Sequence, residues 1–448
     1  MPPVPLALNA YKRTDAFQPE SLCVNFYLEK DESGASPDNI MRLQRPALTR
    51  YMITTGAVRG IYQQDGVLDG TQFGVWGTNL YSFTASASTS IGSIGGTGRV
   101  PFAANYEKLF LLSGTTAYEY DGSDLSAIAM PDDREVQDID TLNNFLLLAC
   151  ADGRWYWLEP GSGTVDALHF FTAESAPDGL VAVKSLGDEF FLFGRSTIEP
   201  WQPTGDSDAP FLRAGGRTFA RGCIARDAVK RFDNSIIWPG DDGIIYRLGN
   251  VPQRISDHSI EERIRKRTGE LSAMILEHDG HKFYVLKIPG QGSFVYDPAS
   301  PVNGVWPEFR WAQGSPHVST AIADGTWLVG DETQSRIYSF DPDSNDDDGA
   351  VMSRQLTGTL AFMGRSGKQG SLSIGTGSSD DFTLHVRWKD AQDDYPAHYE
   401  DIAARAAMDV VSLYRLGTPD QPYRTFELLI EDDVKVRISG AMANEGWR

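Results

Sequence analysis

Hydrophobic and polar positions follow one theme that recurs seven times along the chain. A short apolar run meets a polar turn and is answered by a second run that carries an aromatic. Gly74-Val-Trp76 leads through Gly77-Thr-Asn79 to Leu80-Tyr81, and Lys108-Leu-Phe-Leu-Leu112 leads through Ser113-Gly114 to Ala117-Tyr118. Phe145-Leu-Leu-Leu148 with Trp155-Tyr-Trp-Leu158 repeats it, as do Phe190-Phe-Leu-Phe193 with Ile198-Glu-Pro-Trp201 and Ile236-Ile-Trp238 with Ile244-Ile-Tyr246. Phe283-Tyr-Val-Leu286 with Phe294-Val-Tyr296, and Trp327-Leu-Val329 with Ile337-Tyr338, complete the set. Each unit reads as a β-hairpin, and nine Asp-Gly dipeptides supply the positive φ angles that tight hairpin turns require. Apolar runs of four suit strands packed on both faces.

The anchors Tyr81, Tyr118, Tyr156, Trp201, Tyr246, Tyr296 and Tyr338 lie 37 to 50 residues apart. Strand units at a period of roughly 40–50 residues predict a β-propeller. One small sheet cannot bury both of its faces, so the units must stack radially on one another. The expected fold is all-β, with a propeller of six or seven blades over residues 56–345. A blade that lacks a strand is expected to take one from either terminus.

The flanks read differently. Residues 1–55 carry prolines at positions 2, 3, 5, 19, 37 and 46, and predict an extended N-terminal arm without a core of its own. Beyond Asp341 the repeat lapses, and Asp341-Pro-Asp-Ser-Asn-Asp-Asp-Asp-Gly349 reads as an acidic linker. Residues 346–448 alternate again, as in Phe382-Thr-Leu-His-Val-Arg-Trp388 and Arg424-Thr-Phe-Glu-Leu-Leu-Ile430, and predict a C-terminal β-rich, sandwich-like domain. Ser256 is placed to cap a short helix reaching about Arg267, with Ile260 and Ile264 on one face. Residues 400–410 suit a helix by composition and a strand equally well.

Charge narrows the partners. The chain has 61 acidic and 40 basic residues among 448, a formal net charge of −21. Such a surface repels phosphate backbones and anionic membranes, and disfavours adhesive DNA binding. Cys23, Cys150 and Cys223 form no CxxC and no even framework, so they read as reduced, buried thiols. The start Met1-Pro-Pro-Val-Pro5 has no signal-peptide pattern, and no apolar run approaches the ~20 residues that span a bilayer.

The candidate chemistry reduces to turns. Asp341-x-Asp343-x-Asn345 has the spacing of a calcium loop, but Asp346 stands where the sharp turn needs glycine and Met352 where a bidentate Glu is needed. Gly364-Arg-Ser-Gly-Lys368 has the wrong spacing for a phosphate loop. His278 and His281 flank an expected Asp279-Gly280 turn with no further ligand nearby in sequence. Asp241-Asp242, Asp380-Asp381 and Asp393-Asp394 sit in turn contexts, where Asp bonds the local backbone. Ser256, Asp257 and His258 are adjacent, whereas a catalytic triad is assembled in space. No catalytic residue, metal site or cofactor site is expected.

The segment Phe193-Gly-Arg-Ser-Thr-Ile-Glu-Pro-Trp201, the pair Pro210-Phe211, the step Arg221-Gly222-Cys223, the strand Ile237-Trp238-Pro-Gly240 and the run Gln253-Arg254-Ile-Ser256-Asp-His258-Ser-Ile-Glu261 occur in that order. In this the chain resembles the packaged-DNA stabilisation (tail hub or nozzle) proteins of short-tailed double-stranded DNA phages. The match is densest over residues 186–265. Asn25-Phe-Tyr27 and Arg45-Pro-Ala-Leu48 extend it toward the N-terminus, although the family usually has glycine where Ala47 stands, which implies a different turn there.

The resemblance implies a structural virion protein of the viral tail, made in the bacterial host cytoplasm. It further implies a homo-oligomer, a hexameric ring below the portal and adaptor proteins, whose lumen conducts double-stranded DNA without sequence-specific binding. Such a ring retains the packaged genome, forms the channel for its ejection, and docks tail fibres or spikes. The family marks Arg221, Gly222, Trp238, Arg254, Ser256, His258 and Glu261 are expected to serve packing and capping, with contact between subunits second. The competing reading is a glycan-binding or glycan-cleaving propeller at the host surface, with Trp155 or Trp157 stacking on sugars.

Overall fold

The structure is a computed structural model that describes residues 3–7, 21–34, 36–173, 178–206, 209–361, 369–391, 398–419 and 423–445. All seven expected hairpins form the second and third strands of seven small antiparallel sheets. Every aromatic anchor falls on a third strand: Asn79–Phe83, Thr116–Tyr120, Arg154–Leu158, Ile198–Pro203, Ile245–Leu248, Gly292–Tyr296 and Arg336–Asp341. The turn between His278 and His281 shows why Asp-Gly recurs. Asp279 (φ 47°) and Gly280 (φ 77°) both adopt the left-handed conformation that a two-residue hairpin turn demands.

The uninterrupted apolar runs are explained by two-sided packing. In Glu189–Gly194, Phe190 and Leu192 join Trp155 and Trp157 of the preceding sheet, while Phe191 and Phe193 join Trp238 and Tyr246 of the following one. The same alternation builds an apolar core between each pair of consecutive sheets, and between the seventh and the first, where Leu328 and Ile337 meet Val58 and Trp76. The first strands run Val58–Tyr62, Phe102–Ala104, Val136–Leu142, Leu180–Leu186, Lys230–Arg231, Ser272–His278 and Pro316–Ala321. Each touches the next, and the last touches the first. The architecture is therefore mostly β-strand, made of propeller-like sheets.

Strands of the N-terminal segment are built into sheets formed by later parts of the chain. Ala47–Ile53 is the fourth strand of the seventh sheet, paired with Arg336–Asp341. Ala47 is buried within that strand on extended backbone, so no turn occupies the position. Phe26–Lys30 and Ile40–Gln44 pair with one another, and Ile40–Gln44 lies against Val436–Glu445. Cys23–Val24 pairs with Arg354–Ala361. The C-terminal residues thus form two antiparallel sheets completed by N-terminal strands. Phe26, Leu28, Ile374, Leu384, Leu413, Phe426 and Ile438 share the core between them. Residues 400–410 are strand rather than helix, contributing to His398–Ala404 and Ala407–Gly417.

The acidic linker also proves structural. Asp346–Asp347 pairs with Ala350–Val351, and the Asp347 carboxylate is wholly buried against Arg45. All five N–H groups of the Arg45 guanidinium are used. Nε donates to Asn25 Oδ1, Nη1 to Pro46 O and Asp347 Oδ1, and Nη2 to Arg310 O and Asp347 Oδ2. The plane stacks 4.4 Å from the Trp311 ring centroid. Asp347 also accepts from the amides of Leu48 and Ala312. A buried pair is stable only when its hydrogen bonds are complete, and this one is complete.

Removing one member strands the other charge. Asp347→Ala is expected to lower unfolding stability by about 3–5 kcal/mol. Urea unfolding checks this, and a loss below about 1 kcal/mol, as for a surface pair, contradicts it.

Candidate interaction site on the fifth sheet

The residues singled out in sequence gather on the fifth sheet and the helix that follows it. Strand Pro252–Arg254 delivers Arg254, and helix His258–Arg265 delivers His258 and Glu261. Glu261 is the hub. Its Oε1 accepts from Arg254 Nε at 2.8 Å and from Ser256 Oγ at 2.9 Å, and its Oε2 lies 3.3 Å from His258 Nδ1. Ser256 Oγ in turn accepts from the Ile245 amide, tying the helix start to the third strand of the sheet. Trp306 Nε1 donates to Ile255 O and anchors the same loop to the sixth sheet's outer edge.

The helix cap is Asp257, not Ser256. Its Oδ1 accepts from the Ile260 amide at 2.8 Å, which satisfies one of the donors that a helix start leaves free. Burial pushes the Asp257 carboxyl up to about 6, against the lowering effect of the Ile260 and Ser259 amides.

Arg221, Gly222 and Trp238 form a second group beside the first. The Gly222 amide donates to Asp241 Oδ1, and a Cβ on Gly222 would stand 1.8 Å from Arg195 O. Only glycine permits that approach. Trp238 is buried between Phe193 and Tyr246. Arg221 is exposed and lies over the Tyr246 ring, whose hydroxyl donates to Asp242 Oδ2. The acid pair 241–242 is therefore engaged in holding backbone and ring.

The other candidates resolve individually. Trp155 and Trp157 are 0% and 2% exposed, inside the core between the third and fourth sheets, so they offer no platform to a sugar. His281 Nδ1 lies 2.6 Å from Asp297 Oδ2, and that partner raises its pKa against the lowering effect of burial. The three thiols are buried and free, and burial pushes each up to about 12. The glycine-rich segment near Lys368 and the pair Asp393-Asp394 fall on or beside residues outside those described. Among the described residues, no helix is long and apolar enough to cross a membrane.

Sequence reading missed the cavity that the first strands share. A cavity of about 400 Å³ takes residues from the first strand of every one of the seven sheets, among them Tyr62, Phe102, Asp140, Lys184, Lys230, Met274 and Ser319. Asp138 holds Lys184 at 2.6 Å, and Asp140 holds Arg231 at 2.5 Å. The first pair spans 46 residues and the second 91, one and two repeats, so no local motif exposes them.

Two outcomes follow from this geometry. Asp257 takes up a proton near pH 6 when folded and near 3.8 when unfolded, so the folded state binds more protons between those values. Stability is then expected to gain from this group as pH falls from about 6 to 4. Asp257→Asn, which keeps the cap, should flatten that contribution in urea titrations, and an unchanged pH profile contradicts it. Gly222→Ala is expected to cost about 1–3 kcal/mol, whereas Gly215→Ala, where a Cβ meets nothing within 4 Å, should be near neutral. Thermal unfolding of both variants compares them, and equal effects contradict the close approach.

A family model described as Bacteriophage P22 Gp10, beta-propeller, matches residues 4–345. The tail hub protein gp10 of Salmonella phage P22 is 24% identical over 285 residues. That alignment covers 58% of this chain and 59% of the relative, so the chain matches somewhat over half of the relative's length. Two solved structures align at a TM-score of 0.45. One is the WD40 β-propeller domain of Doa1 (13% identity, 66% of this chain and 97% of that one). The other is BBS1N in complex with ARL6DN (9% identity, 69% and 99%). The family match takes in all seven sheets and the strands Cys23–Val24, Phe26–Lys30 and Ile40–Gln44 ahead of them, and the chain belongs to the Bacteriophage P22 Gp10 β-propeller family.

Proposed function

We propose that this protein is a structural subunit of a phage tail hub, the nozzle below the portal and adaptor, and that it performs no catalysis. The observation that carries the reading is the family match across residues 4–345, which contains every one of the seven sheets. On this reading the sheets are the seven blades of a propeller. Ala47–Ile53 is its closing strand, and the two C-terminal sheets form a sandwich-like domain. The seven cores between neighbouring sheets favour a stiff disc whose loops project from two faces, which suits a part that must bind several neighbours at once.

A hexameric ring of such subunits would retain packaged DNA, conduct it at ejection, and dock fibres or spikes. The net charge of −21 fits a conduit that does not hold the duplex. The protein would be made in the bacterial cytoplasm and reside in the virion tail without inserting in a membrane. Arg254, Ser256, His258 and Glu261 serve the fold on this reading, since they bond one another and the helix start. Trp238 and Gly222 do the same through packing and close approach, and Arg221, Arg254 and His258 keep exposed side chains available to a neighbour. The glycan reading loses its stacking residues, because Trp155 and Trp157 are enclosed.

The test is the mass of the protein alone and with its cognate portal–adaptor complex, by native mass spectrometry. A stable ring of about six copies on the complex is expected, because head-to-tail contacts close at a fixed number. A monomer that ignores the complex contradicts the proposal.

A further inference from the structure

The axial cavity holds a charge imbalance at one residue. Lys184 and Arg231 face the cavity, but each is neutralised by a buried carboxylate. Asp138 is fixed by Lys184 and the Val183 amide, and Asp140 by Arg231 and the Ser185 amide and hydroxyl. Lys230 also lines the cavity, is half-buried, and has no ion-pair partner among the described residues. We propose that the axial cavity is a binding site for a small phosphate-class oxyanion, held by Lys230 with help from Lys184 and Arg231.

Three physical points support the site. A half-buried ammonium without a partner is costly, and burial pushes the Lys230 amine down to about 8. Asp227 is the largest electrostatic counterweight, with a smaller one from Asp138, and Lys184 and Arg99 oppose them by repulsion, so the amine stays below its ordinary value. An oxyanion in the cavity supplies the missing counter-charge and accepts charge-assisted hydrogen bonds from the lysine amine and the half-exposed Arg231 guanidinium. The volume of about 400 Å³ admits such an ion with its residual waters. Because it lies at the centre of the seven sheets, the ion would also join strands distant in sequence. The inference stands on the cavity and its amines, and does not depend on the tail-hub reading.

The test is isothermal titration of the full-length protein with inorganic phosphate at constant ionic strength, with glycerol phosphate in parallel to tell a free ion from a monoester. Saturable binding of either is expected. Lys230→Gln should weaken it about ten-fold or more, the loss of one charge-assisted hydrogen bond. Lys282→Gln, on the same cavity lining but with its amine already paired to Glu277 and Asp233, should leave the affinity within about two-fold. A second readout needs no variant. Limiting acetic anhydride at about pH 8 should acylate Lys230, and saturating phosphate, but not chloride of equal ionic strength, should protect it. No saturable heat from wild-type protein, an unchanged affinity in Lys230→Gln, or labelling indifferent to phosphate would each overturn the proposal.

Discussion

One guanidinium ties together parts of the chain that lie some three hundred residues apart. Arg45 sits where the N-terminal strands leave the C-terminal sheets and enter the seventh propeller-like sheet. Its five hydrogen bonds reach Asn25, Pro46, Arg310 and Asp347. Asp347 answers by holding the amides of Leu48 and Ala312. Neither charge has access to water, so the two must fold together or not at all. Through the Leu48 amide the pair is bonded directly to the strand Ala47–Ile53 that completes the seventh sheet.

A second connection runs beside the first. The sixth sheet has three strands, and its outer edge is covered by residues 307–309 rather than by a regular fourth strand. The Val295 amide donates to Pro307 O and the Phe309 amide to Ser293 O, while on its other side Glu308 donates to Cys23 O and accepts from the Asn25 amide. Cys23–Val24 then pairs with Arg354–Ala361, so backbone hydrogen bonding continues from the sixth sheet into the C-terminal sheets. An edge that would otherwise invite foreign strands is thereby occupied. The same region carries Trp306, which pins the helix and its Glu261 hub. Repeat sheets, helix and C-terminal sheets are thus braced in one place.

The repeat itself was open to reading because its signal is local. A strand whose odd and even residues face two different neighbours must be apolar throughout, as residues 190–193 are, and Asp-Gly marks where it turns. Glu261, Arg254 and Ser256 lie within eight residues of each other, so their cluster could be anticipated. Pairings over long separations could not. Asp347 stands in a run of acids that looks solvated, and only Arg45, brought from the other end of the chain, buries it. Residues 400–410 have helix-forming alanines, yet pairing with strands 369–378 and 382–390 overrides that preference. The N-cap fell to Asp257 because Ser256 is turned inward to Glu261 and Ile245. Lys230 and Asp140 come from separate repeats and meet only in the cavity between the first strands.

The central claim is that the Arg45–Asp347 pair and the ladder beside it make the seven sheets and the C-terminal sheets one cooperative body. Native-state hydrogen exchange in rising denaturant tests it most directly. Amides of Ala47–Ile53, Arg354–Ala361 and Val436–Glu445 should converge on a single opening free energy, equal to that of global unfolding. Exchange from the C-terminal strands through a separate, cheaper opening, with the propeller-like sheets still protected, would contradict the account.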